Sequence, residues 1–89
     1  MGYILECCVD SVESAIAAKK GGADRIELCS ALVIGGLSPS QALYQKIREQ
    51  VDIQIRVLLR PRFGDFCYTD FEHEILKEEI RSFRKLGAD

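Results

Sequence analysis

No basic stripe runs through this sequence. Its 12 lysines and arginines are interspersed with 14 acids for a net charge of −2, so a nucleic-acid backbone, which selects clustered positive charge, is excluded as an expected partner. No apolar stretch approaches the roughly 18 residues that a membrane span requires, so no membrane partner is expected. The opening "MGYILECCVD" has no basic region followed by a cleavage site, and the expected location is the cytoplasm. Cysteine is sparse as well. Cys7, Cys8, Cys29 and Cys67 have neither the spacing of a zinc knuckle nor the density of a secreted disulfide scaffold, which leaves reduced thiols serving as buried spacers or soft-metal ligands. The single histidine, His73, falls in an expected helix and is read as solvent-facing or part of a capping turn rather than as a ligand.

What is present describes one ordinary globular domain, with 47% hydrophobic and 29% charged residues. Three β-rich apolar runs, 3 to 9, 25 to 29 and 53 to 59, are each followed by a helical pattern. Three pairs, Asp10 with Glu13, Ser38 with Gln41 and Thr69 with Glu72, have the spacing of a capping box, and Pro39 would occupy the first helical position of the second helix. Leu43, Ile47 and Val51 recur at helical spacing, as do Leu76, Ile80 and Phe83. Each set supplies an apolar stripe to lay on a sheet.

Strand and helix alternating through short connections is the βαβ pattern, with parallel strands and right-handed crossovers. The expected class is therefore α/β. A repeat supports it: "KKGGAD" closes the first helix and "RKLGAD" the third, with the glycines as helix C-caps and two βα units of roughly 32 residues each between the copies. Three parallel strands covered by helices on one face leave open edges and an open face. Residues 1–89 are accordingly expected to be part of something larger, such as the first three units of an eight-unit barrel of about 250 residues, or a chain that completes itself by self-association or as a homo-oligomer.

Alternation along each strand separates two faces. Leu5, Cys7 and Val9, then Ile26 and Leu28, then Ile55, Val57 and Leu59 form an apolar face that must meet the helices. The opposite face carries Glu6 and Cys8, Arg25, Glu27 and Cys29, and Arg56 and Arg60. Charges there need partners, and two readings stand: an ion-pair layer plugging a barrel, or a site at the C-terminal strand ends where α/β barrels keep their chemistry. Cys8 and Cys29 share parity and strand-end level on sequential strands about 4.8 Å apart, so their sulfurs could share one soft cation, Cu(I) or Zn(II). They could equally be spacers. Vicinal Cys7 and Cys8 point to opposite sides, which argues against a redox pair, and Cys67 is read as a loop hydrophobe.

In the loop after the third strand, Arg60, Arg62 and Asp65 gather two guanidinium forks and an acid. Such forks clamp carboxylates or phosphates, or brace the loop internally. "IGGLSPS" places two glycines before a helix N-terminus, where an anion can sit, although a loop-closing glycine pair serves as well.

The stretches "ECCVDSVESAIAAKKGGADRIELCSAL", "GGLSPS" and "RPRFGDFCY" closely resemble the N-terminal third of the CutC-type copper homeostasis proteins. The resemblance implies a TIM-barrel fold, a cytoplasmic protein more than twice this length, and Cu(I) held by the two family cysteines, which fall on Cys8 and Cys29. Other matched positions are Glu6, Asp10, Arg25, Glu27, Arg60, Arg62 and Asp65. The chain departs from the pattern at Cys7, where valine is usual, at Phe63, which replaces a glycine, and at Arg56 and Cys67, where apolar residues are usual. Two functions follow: copper homeostasis, with Glu6, Arg25 and Glu27 orienting the thiolates, or a metal-independent barrel enzyme acting on a small anionic substrate. In the second, Arg60 and Arg62 would clamp the anion and Glu6 or Glu27 would act as base.

Overall fold

A computed structural model describes residues 2–89. The elements run β1 (Glu6–Val9), α1 (Val12–Lys20), β2 (Arg25–Leu28), a single 3₁₀ turn (Leu32–Ile34), α2 (Gln41–Gln50), β3 (Gln54–Val57) and α3 (Asp70–Lys85). The strands form one parallel sheet in the order β1, β2, β3. The class is α/β, as the alternating pattern requires. Each strand is shorter than its apolar run, because the residues flanking it enter loops.

The face assignment by parity agrees with the packing within the strands, but not at Leu5, which lies ahead of β1 and stays 52% exposed. Ile26, Leu28 and Ile55 are wholly buried, Val9 nearly so, and Cys7, Val57 and Leu59 pack against them. The helices contribute Ala15, Tyr44, Ile47, Val51 and Phe83 to this core. Tyr44 and Phe83 meet edge to face with ring centroids 5.8 Å apart, the arrangement that ring quadrupoles favour. Ile80 belongs to the stripe expected on α3, yet it stays 44% exposed. It lines an open groove of about 390 Å³ with Val57, Leu59 and Phe83 beside β3.

Two of the three expected caps lie elsewhere. The N-cap of α1 is Ser11, whose Oγ accepts from the Ser14 amide at 3.0 Å, and not Asp10. The N-cap of α2 is Ser40, whose Oγ accepts from the Leu43 amide at 3.1 Å, and not Ser38. In both places a serine nearer the helix takes the role, held in extended backbone with its oxygen over the first turn, and the Ser38 oxygen is taken by the Arg60 amide. Pro39 is therefore outside the helix, and it is buried. Thr69 and Glu72 do form the reciprocal box, each side chain accepting from the other's amide.

The repeated Gly-Ala-Asp works identically in both copies. Gly22 and Gly87 take positive φ, 96° and 88°, which glycine adopts without steric cost. Their amides bond back to Lys19 and Arg84, and those of Ala23 and Ala88 reach Ala18 and Phe83, the paired bonds of a Schellman end. The aspartates then turn to the strands: Asp24 Oδ2 accepts from the Leu5 amide at 2.8 Å, and Asp89 Oδ2 from the Ile55 amide at 3.0 Å.

Candidate functional site

The open face of the sheet is arranged in rows set by the strand register. Glu6 stands level with Arg25 and Gln54, and Cys8 with Glu27 and Arg56. Glu6 and Arg25 form an ion pair, both half-buried. The Cys8 thiol faces Glu27, with Sγ 3.9 Å from Oε1. The same register corrects one expectation, since Cys29 is not level with Cys8. It lies one two-residue step, roughly 6.6 Å along the strand, beyond Glu27.

The two thiols differ in surroundings. Cys8 is exposed, whereas Cys29 is only 1% exposed and points its sulfur at the Val9 carbonyl, 3.5 Å away. Partial desolvation raises the Cys8 thiol above its ordinary range, helped by the Glu27 and Glu6 carboxylates. Burial pushes Cys29 up to about 11, reinforced by Cys8, Glu27 and Asp10. Both are therefore neutral thiols at pH 7, and a metal would have to displace their protons. Among the described residues, no group of three or more His, Cys, Asp or Glu side chains is positioned to hold a metal ion. His73 is exposed on α3, where its ring stands edge to face with that of Tyr68.

The arginines of the loop after β3 are committed internally. Arg62 pairs with Glu72 and with Asp65, donates to the Cys67 carbonyl at 2.9 Å, and lies over the Tyr68 ring. These contacts hold Arg62 charged and keep Asp65 and Glu72 below the usual carboxylate range. For both acids the largest cause is a backbone amide, that of Cys67 for Asp65 and that of Thr69 for Glu72. Arg60 has no carboxylate partner among the described residues. Its guanidinium instead donates to the carbonyls of Ile34, Gly36 and Gly64 at 3.5, 3.3 and 3.0 Å and lies over the Phe66 ring. Neither fork is left open toward an anion.

Several participants carry only weak signals in the sequence. Ser38 serves as a tie between loops: its Oγ accepts from the Arg60 amide at 2.7 Å, and its amide donates to the Arg60 carbonyl at 2.9 Å. Gly35 and Gly36 hold φ of 92° and 94°, and Gly36 lies against Cys29 and Leu58. The glycine pair closes this loop. The N-terminus of α2 beyond it is capped by Ser40.

A parallel three-stranded sheet alternating with helices, with thiols, carboxylates and guanidinium groups on its open face and in the loops beyond it, defines the class, an α/β protein. Comparison with known proteins gives the family. The CutC family profile matches residues 3–89, and the chain belongs to the CutC family. It is 52% identical over 88 residues to the human copper homeostasis protein cutC homolog and 51% identical to the mouse one, covering 99% of this chain and 32% of each relative. A CutC family protein from Citrobacter koseri is 48% identical over 84 residues, 94% of this chain and 34% of that one. A crystal structure of a Streptococcus agalactiae protein assigned to CutC superposes with a TM-score of 0.82 at 33% identity, covering 98% of this chain and 43% of the other. The chain thus spans about a third of the length of the curated relatives it matches.

Proposed function

We propose that this chain carries the Cu(I)-binding cysteines of a copper homeostasis protein, with Cys8 and Cys29 as thiolate ligands. The observation that carries the reading is two free thiols at the same end of adjacent parallel strands, Cys8 near the C-terminal end of β1 and Cys29 directly after β2. Thiolates select Cu(I), and a two-sulfur donor set suits Cu(I), whereas structural zinc takes four protein ligands. Copper is the cargo, bound and released. Glu27 beside Cys8, and Glu6 held by Arg25, orient the first thiol and supply carboxylates near the protons that the metal displaces. The names of the human and mouse relatives point the same way.

On this reading residues 1–89 form the first three βα units of an eight-stranded barrel in a cytoplasmic protein. The free edges of β1 and β3 are closed by further strands or by a second copy. The alternative of an enzyme acting on a small anion has less support, because Arg62 is committed to Glu72 and Asp65 and Arg60 to three carbonyls. A Cu(I) titration against a competing chelator, with Cys8 and Cys29 replaced in turn by serine and Cys67→Ser as control, tests the copper reading.

A further inference from the structure

Cys29 is covered by a short loop. Directly after β2 the chain leaves Ser30 and returns at Leu37, the two joined by reciprocal backbone bonds of 2.9 and 2.8 Å. Between them Ala31, Gly35 and Gly36 all take positive φ, so the segment folds back over the strand end from which it came. Gly36 is buried, and its backbone rests on the cysteine: a Cβ added there would lie 3.6 Å from Cys29 Sγ and 2.9 Å from Leu58 Cδ2. The thiol's polar contact is inward, to the Val9 carbonyl. A ligand approaching from the open end of the sheet meets this loop first.

The loop is closed at its base by the Ser30–Leu37 bonds, and its end is tied through Ser38 to the Arg60 backbone at 2.7 and 2.9 Å, while its middle is held from the side. Arg60 reaches across from the loop after β3, bonding the Ile34 and Gly36 carbonyls on one side and Gly64 on the other. Its Nε is buried without a partner. A permanent structural arginine is ordinarily matched by a carboxylate, as Arg62 is here. Arg60 instead spends its charge on neutral carbonyls, with two of its bonds long and one donor unused, a bonding pattern that can be released without stranding a buried acid.

We infer that residues 31–37 form a lid over Cys29, that Arg60 is its latch, and that the lid must lift before Cys29 can meet a metal ion or any other electrophile. This deepens the copper reading by naming a positioning residue that governs entry to one ligand. Its test uses no copper, so the failure of one is distinguishable from the failure of the other.

The experiment is site-resolved alkylation of the full-length chain by iodoacetamide, read by peptide mass spectrometry. In the parent protein, opening of a lid exposes little surface, so Cys29 labelling should be nearly independent of urea well below the unfolding transition. A rate that climbs with urea as steeply as global unfolding would overturn the inference. In Arg60→Met, Cys29 should label about tenfold faster while Cys8 and Cys67 stay within about twofold. Removing a nearby cation disfavours the thiolate, so acceleration would report access rather than electrostatics. An unchanged or slower Cys29 in a folded variant contradicts the latch. Should all four cysteines accelerate together, the variant has unfolded, and the urea dependence of the parent decides the question by itself.

Discussion

Asp89 and Ile55 exchange two hydrogen bonds: the Ile55 amide donates to the Asp89 carboxylate at 3.0 Å, and the Asp89 amide to the Ile55 carbonyl at 3.1 Å. Asp24 and Leu5 make the same pair at 2.8 and 2.9 Å. In both places the aspartate fastens the end of a helix to the strand preceding that helix. A charge-assisted bond of this kind contributes about 1.5 to 3 kcal/mol when well shielded and less when exposed. Asp24→Ala and Asp89→Ala should therefore each lower stability by about 1 to 2 kcal/mol in urea unfolding. Asp24→Asn, which keeps an acceptor oxygen, should lose less than Asp24→Ala.

The glycines of positive φ should separate by their surroundings. At Gly22 an added Cβ meets nothing within 4 Å, so Gly22→Ala should cost only the backbone strain, about 1 kcal/mol. At Gly36 the same change adds a 2.9 Å clash with Leu58 in a buried position, and should cost about 1 to 2 kcal/mol more. Equal losses in urea unfolding would mean that the loop over Cys29 is looser than its packing indicates.

Acid should loosen the segment that carries Arg62. Asp65 and Glu72 have depressed folded-state pKa values, so their contribution is present above the ordinary values of 3.8 and 4.5. It is lost as pH falls through that range toward the folded values. Glu72 titrates in this range and is held down first by the Thr69 amide, which stays when Arg62 is replaced, so Glu72→Gln should flatten the melting temperature between pH 6 and pH 3. A profile unchanged by Glu72→Gln would contradict the assignment.

Glu27 raises the Cys8 thiol through its charge and its contact, after desolvation. Glu27→Gln should therefore increase Cys8 alkylation at pH 7.5, since more thiolate is available. A decrease would make Glu27 a base that activates the thiol.

Much of this fold is legible in the sequence because each device is local. Alternation sorted Cys7 from Cys8, the Gly-Ala-Asp repeat marked two helix ends, and Thr69 with Glu72 announced a cap. What escaped was set by competition or by distance. Ser11 displaced Asp10 and Ser40 displaced Ser38 because each helix starts one or two residues later than the spacing suggests, and a serine stands there to cap it. The register that lifts Cys29 one step above Cys8 depends on where two strands meet, and parity is silent on that. Arg60 read as an anion clamp because its partners are backbone carbonyls, and carbonyls leave no trace in residue identity. The resemblance to the CutC family, by contrast, was visible across nearly the whole chain and agrees with the family match.

The central claim is that Cys8 and Cys29 together hold copper. Chelator competition for Cu(I) under reducing conditions, on a chain long enough to complete the fold, measures it directly. Cys8→Ser and Cys29→Ser should each weaken binding by at least roughly tenfold, or 1.4 kcal/mol, with Cys67→Ser indistinguishable from the parent. Affinity unchanged by both substitutions, or lost equally on replacing Cys67, would contradict the account.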